Sequence, residues 1–331
     1  MYVNGCLCGP NLWLLISNHL FKQTQGKASM LWLETAKVRR SGTIAQIAIR
    51  RKEVVMTQYG TDPVSAIAED DAVGEVAEIF ADIRNTMDIP LLTSIWRTLA
   101  SIDGGLKAVW GETKPLYLAG YPQAALHSIF DGSPLPKPQP LVAGQLECVG
   151  VSKSELVQVR SILAAYNRSN GMNMLALSCL LVEPRGRPLP KPMPSSALRW
   201  GPLKKLLPKA EIPRSVWELL LEINKFGSSN GAGLATLWRH LARWPGFLSL
   251  LHAAFSPLQS AGVLSDSVRQ VHECSSTLAA RMAHINVNAG PIDMPESARQ
   301  MIADYVDVPG AVTRMVTLGH AVERWLDQVG D

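Results

Sequence analysis

The chain has 331 residues, 47% of them hydrophobic, and a formal charge of +4, so a globular protein with one large core or two small ones is expected. The charge is concentrated at one end: residues 1–55 carry Lys22, Lys27, Lys37, Arg39, Arg40, Arg50, Arg51 and Lys52 against Glu34 and Glu53, leaving 24 basic and 26 acidic residues in the remainder. A mildly acidic body gives nucleic acid, or any other polyanion, little to hold.

The opening stretch, MYVNGCLCGPNLWLLISNHLFKQ, has no basic leader, and its apolar run from Leu12 to Ile16 is too short for an export signal or a membrane span. A polar, acidic segment follows Met56. Lys52-Glu53 can be encoded AAGGAG, a bacterial ribosome-binding sequence, which makes residues 1–55 an expected non-native or disordered extension. The cysteines are Cys6, Cys8, Cys148, Cys179 and Cys274, an odd number without a CxxC pair. They point to a reducing, cytoplasmic setting and give no support to zinc or a disulfide framework.

In the body, VAEIFADI from Val76 places Val76, Ile79, Phe80, Ile83 and Met87 at helical spacing, and VWELLLEI from Val216 does the same with Val216, Leu219, Leu220, Ile223 and Phe226. SIWRTLASIDGGLKAVW from Ser94 is rewritten as TLWRHLARWPGFLSLLH from Thr236. At an offset of 142 the two share Trp96/Trp238, Arg97/Arg239, Leu99/Leu241, Ala100/Ala242, Gly104/Gly246 and Leu106/Leu248, and Pro115-Leu116 returns as Pro257-Leu258. SILAAYNRSNG from Ser161 is echoed more faintly by QMIADYVDVPG from Gln300. No strand or hairpin series is legible, so the fold is expected to be all-α: two tandem helical repeats of about 120–130 residues packed as an internal pseudo-dimer.

The expected divisions are a first repeat over 56–182, a linker rich in proline and lysine over 183–213, and a second repeat over 214–331. Proline at that density forbids helix. A shorter proline cluster from Ser133 joins helices within the first repeat. Two breaks, Tyr166 to Gly171 and Phe226 to Gly231, read as turns whose following helices present free amides, a setting for an anion such as a carboxylate.

No dinucleotide, P-loop, HExxH or GxSxG pattern occurs, so neither cofactor nor metal is expected. The seven histidines are scattered singly, and each reads first as a surface or hydrogen-bonded side chain.

Three stretches in this order, GEVAEIFADIRNTMDIP with the Trp-Arg helix, VRSILAAYNRSNGMNML and the run ending LARWPGFL, resemble the group I 2-haloacid dehalogenases, from about Gly74 to Leu326. The resemblance implies an all-α, cofactor-free bacterial hydrolase that converts a short 2-haloacid to a 2-hydroxy acid with inversion. In such an enzyme a water activated by a carboxylate and held by an asparagine attacks the halogen-bearing carbon directly. The water-holding asparagine falls on Asn170 and a pocket tyrosine on Tyr305. The catalytic aspartate falls on Leu237, which cannot take a proton, and no Asp or Glu lies between Glu222 and Asp266 to replace it.

The base must then come from elsewhere, with Glu75 and Asp307 as the candidates. Ala235 and Thr236, just before Leu237, are the expected stereochemical determinants, and Leu91 and Ser94 complete the expected pocket, with the D enantiomer favoured. The small acid is the expected partner, without nucleic acid or membrane, and a homodimer of the whole chain is compatible with this. Leu237 also supports an alternative reading, a non-catalytic helical binding protein that has lost the aspartate.

Overall fold

The computed structural model describes residues 66–131, 135–142, 144–193, 198–227, 234–285, 293–306 and 311–328, all in the compact unit Asp62–Asp331. The expected extension 1–55, Asp307 and most of the second expected break lie outside the described residues.

The described residues form helices and irregular segments without a strand, which is the expected all-α class. In chain order, the first six helices are α1 (Gly74–Met87), α2 (Ser94–Leu99), α3 (Gly105–Leu118), α4 (Tyr121–Phe130), α5 (Gln145–Cys148) and α6 (Lys153–Ser178). The next six are α7 (Arg214–Ile223), α8 (Thr236–His240), α9 (Pro245–Ser260), α10 (Val263–Met282), α11 (Glu296–Val306) and α12 (Ala311–Asp327). The two rewritten phrases open on α2 and α8, α3 and α9 each enclose a proline, and α4 and α10 each follow a left-handed glycine, Gly120 and Gly262. The two series therefore run in the same order. Their packing as an internal pseudo-dimer is our proposal.

Local chemistry accounts for these elements. The apolar stripe of α1 buries Phe80, Ile83 and Met87, and the helix stops where Asp88 turns left-handed at φ 51°. Both tryptophans of the repeated phrase are fully buried, with Leu99 and Leu241 beside them; a large apolar side chain contributes about 1.5–3 kcal/mol when buried in this way. α6 starts with a capping box, Ser152 and Glu155 satisfying each other's backbone amides, a device worth about 1 kcal/mol.

One expectation fails here. Residues 166–171 are not a break but the middle of α6, which runs unbroken for 26 residues. The Asn-Arg-Ser-Asn-Gly run reads as a turn in isolation, yet α6 packs against α4, α8, α10, α11 and α12, and that burial outweighs local propensity. Gly171 lets α4 close in: a Cβ there would lie 2.5 Å from Leu126 Cδ1. The free amides expected at this point do not exist.

The proline-rich segment has no helix or strand among its described residues before the single 3-10 turn Lys209–Glu211, and it is strapped to the body. The carbonyls of Lys204, Lys205 and Leu207 accept from His240, Arg243 and Arg239, and Leu198 N donates to Asp88 Oδ2 at 2.6 Å. Among the described residues no single helix is long and apolar enough to cross a membrane.

Candidate active site

Five segments converge on a cavity of ≈ 170 Å³, room for several waters or one short acid. Thr93 and Ser94 come from the start of α2, Tyr166 and Asn170 from the middle of α6, and Leu234 to Leu237 from the entry to α8. Tyr305 near the end of α11 and Val312, Arg314 and Met315 in α12 close it.

Helical spacing puts Tyr166, Ser169, Asn170 and Asn173 along one side of α6. Asn173 Oδ1 accepts from Trp96 Nε1 at 3.2 Å and from Tyr117 OH at 2.9 Å, and its Nδ2 donates to Thr93 Oγ1 at 2.8 Å. Thr93 in turn meets Ser169 Oγ at 3.3 Å. One turn earlier, Asn170 Oδ1 accepts from Tyr305 OH at 3.1 Å. That bond fixes the amide, so Asn170 offers its Nδ2 as a donor to whatever enters. Burial pushes the Tyr305 phenol well up, so it remains a proton donor.

Arg314 is the charged group of the cavity. It is 1% exposed, and its Nη1 donates to the carbonyls of Asn224 and Phe226. Its Nε and Nη2 are buried without a hydrogen-bond partner among the described residues. Gly227, left-handed at φ 71°, makes room for the arginine stem: a Cβ there would lie 3.2 Å from Arg314 Cγ. Burial lowers the guanidinium to about 10, which leaves it charged at neutral pH. A buried cation with unmet donors is costly until an anion arrives. Leu234, Leu237, Val312 and Met315 supply the apolar part of the lining.

Of the residues expected from sequence, Ser94, Asn170, Ala235, Thr236, Leu237 and Tyr305 line this cavity. Leu91 does not; it packs, partly buried, against the core. Glu75 does not either: its side chain is 60% exposed and pairs with Lys107 Nζ at 2.7 Å. No Asp or Glu is among the described lining residues. Sequence reasoning missed Thr93, Tyr166, Leu234, Val312, Arg314 and Met315. The available signal was Arg314 itself, a single strong charge inside the apolar run from Val312 to Val322.

No protein-family model matches the chain. It is 26% identical over 192 residues to a configuration-inverting 2-haloacid dehalogenase of Alcaligenes xylosoxydans xylosoxydans, an alignment that takes in 55% of this chain and 64% of that protein. The chain thus spans just under two thirds of the length of that curated relative. Among solved structures it is similar to a D-2-haloacid dehalogenase mutant in complex with D-2-CPA, with a TM-score of 0.61 and 14% identity over 81% of this chain and 96% of that one. A D-2-haloacid dehalogenase in complex with L-LA aligns with a TM-score of 0.59 and 14% identity, covering 80% of this chain and 96% of that one. The neighbours found by sequence and by structure are the proteins to which the sequence resemblance pointed, and the fold is theirs.

Proposed function

We propose that this chain is a 2-haloacid dehalogenase that hydrolyses short 2-haloalkanoic acids, the D enantiomer first, with inversion at the reacting carbon. The observation that carries the reading is the buried Arg314, whose Nε and Nη2 have no partner among the described residues, in a small cavity that also holds the Asn170–Tyr305 pair. An anion is what that guanidinium lacks, and a planar carboxylate suits its fork of donors.

In this reading Arg314 holds the carboxylate, assisted by the hydroxyls of Ser94 and Thr236. The halogen rests on Leu234, Leu237, Val312 and Met315, where a polarisable leaving group loses little on leaving water. Asn170 Nδ2, oriented through Tyr305, positions the water for in-line displacement, and holding the two reactants in line is itself a large part of the rate. The substrate is the small acid, and no cofactor is called on. The proton acceptor is the part no carboxylate among the described lining residues supplies. Glu75 stands at the surface in its pair with Lys107, and Asp307 is the remaining candidate from the sequence.

The test is chloride release from D- and L-2-chloropropionate, followed separately, with the chirality of the product. Release from the D substrate with formation of L-lactate is expected. No release from either enantiomer by the folded chain would overturn the reading and restore the binding-protein alternative.

A further inference from the structure

We infer that Tyr166 and His240 form a proton relay that replaces the missing aspartate, with Tyr166 receiving the proton of the attacking water and His240 Nδ1 as its destination. The inference rests on the dehalogenase reading and concerns its missing part.

Tyr166 lines the cavity one helical turn before Asn170. Its hydroxyl lies 3.4 Å from His240 Nδ1, with the two rings edge to face at 88°. His240 Nε2 lies 2.5 Å from the carbonyl oxygen of Lys204 in the proline-rich strap. A carbonyl can only accept, so Nε2 carries the hydrogen, and in the neutral ring Nδ1 is therefore the acceptor. The phenol must then donate to Nδ1, which leaves the lone pairs of its oxygen able to accept a proton. His240 is three residues beyond Leu237 on α8, so the chain places a base one turn away from where the resemblance expected one.

The groups around the relay are few. Burial lowers the His240 imidazole from 6.5, the Lys204 carbonyl opposes this, and the charge of Arg243 adds to it. Burial raises the Tyr166 phenol, with Arg97 and Arg239 pulling down and Glu69 pushing up. A phenol this hard to ionise does not act alone as a base; it transfers a proton only as it gives one up. The neutral imidazole keeps a lone pair on Nδ1 and so can take the proton that a carboxylate would otherwise take.

The step balances without a further reagent. The water oxygen bonds to C2, and the carbon–halogen pair leaves as halide. The water proton moves to Tyr166 Oη while the phenolic proton moves to His240 Nδ1. The imidazolium keeps its Nε2–H on Lys204 O and returns the extra proton to solvent after the product leaves.

The experiment combines chloride release from D-2-chloropropionate, its pH profile and imidazole nitrogen NMR. Tyr166→Phe and His240→Asn are each expected to lose about 10²-fold or more in kcat while L-lactate still raises their Tm. In the wild type, kcat/KM should fall on the acid side through a single ionisation below 6.5 whose position moves with temperature, as imidazole ionisation does. NMR of the wild type should show Nε2 protonated and Nδ1 accepting, a readout that stands if a variant fails to fold. Chloride release by Tyr166→Phe at the wild-type rate overturns the relay alone, as does a protonated Nδ1 or a loss confined to Asp307→Asn. No release by the wild type overturns the dehalogenase reading and the relay with it.

Discussion

The two copies of the Trp-Arg phrase are built alike and finished differently. In each, the tryptophan is fully buried and the arginine reaches back to a carbonyl of a preceding segment, Arg97 to Ile67 O and Arg239 to Leu207 O. Around the first copy the polar groups are satisfied: Trp96 donates to Asn173, which also takes Tyr117 and gives to Thr93. Around the second copy they are not. Among the described residues Trp238 Nε1 is buried without a partner, as are Nε and Nη2 of Arg314, and Ala235 stands where the first copy has the hydroxyl of Thr93. A satisfied buried network holds a fold in one state, whereas unmet buried donors are open to a water, an ion or a ligand. Both copies reach the cavity, the first through Thr93 and Ser94 and the second through Ala235, Thr236 and Leu237, and the second is the less satisfied of the two.

The sharpest way to break that comparison is Arg314→Met. If the guanidinium holds the substrate carboxylate, its loss removes hydrogen bonds to a charged group worth about 1.5–3 kcal/mol, or roughly 10- to 10²-fold in kcat/KM for chloride release. Stability should move the other way or stay level, because replacing an unpaired buried charge with an apolar chain of similar size removes a desolvation penalty. A urea midpoint well below wild type would mean that Arg314 is a structural brace and not an anchor. Conversely, a short 2-hydroxy acid should raise the wild-type Tm by mass action and leave that of the variant unchanged.

The sequence made the scaffold legible and left most of the site hidden. Apolar periodicity located α1, α7 and the paired helices α2 and α8, because their buried faces repeat at helical spacing. It misread residues 166–171, because Asn, Ser and Gly favour turns on their own and only the packing of α6 among its neighbouring helices makes a helix prevail. Asn170 and Tyr305 came from resemblance. Arg314 left only the signal of a lone strong charge in the apolar run from Val312 to Val322, and Tyr166 left none, since its place in the cavity depends on how α6 packs. His240 was visible as a residue but not as a base. Its tautomer is set by Lys204, 36 positions away in a strap the sequence showed only as a linker.

A smaller effect sharpens the same contrast through the tryptophans. Trp96→Phe leaves Asn173 Oδ1 with Tyr117, while Trp238→Phe removes an N–H that has no partner among the described residues. Both variants lose the same ring area, so the difference between them isolates the hydrogen bond: Trp96→Phe should be the less stable by about 1 kcal/mol, read as a lower urea midpoint at an unchanged m value. Equal midpoints would mean that the two copies are equally satisfied, and the contrast between them would lose its energetic basis.

The smallest expected effect separates what the two arginines hold. Arg97 gives one N–H to Ile67 O at 3.0 Å, and Arg239 gives two to Leu207 O, at 3.3 and 3.2 Å. Alanine at either position should cost about 1 kcal/mol, too little to tell the copies apart by melting. Local opening tells them apart. Arg239→Ala releases the strap next to Lys204 and Lys205, so trypsin should cut there faster, while Arg97→Ala leaves that rate unchanged. Because Lys204 O also fixes the tautomer of His240, the same loosening should lower kcat in Arg239→Ala without weakening the binding of L-lactate. Faster cleavage with undiminished kcat would show that the strap closes the fold but does not set the base.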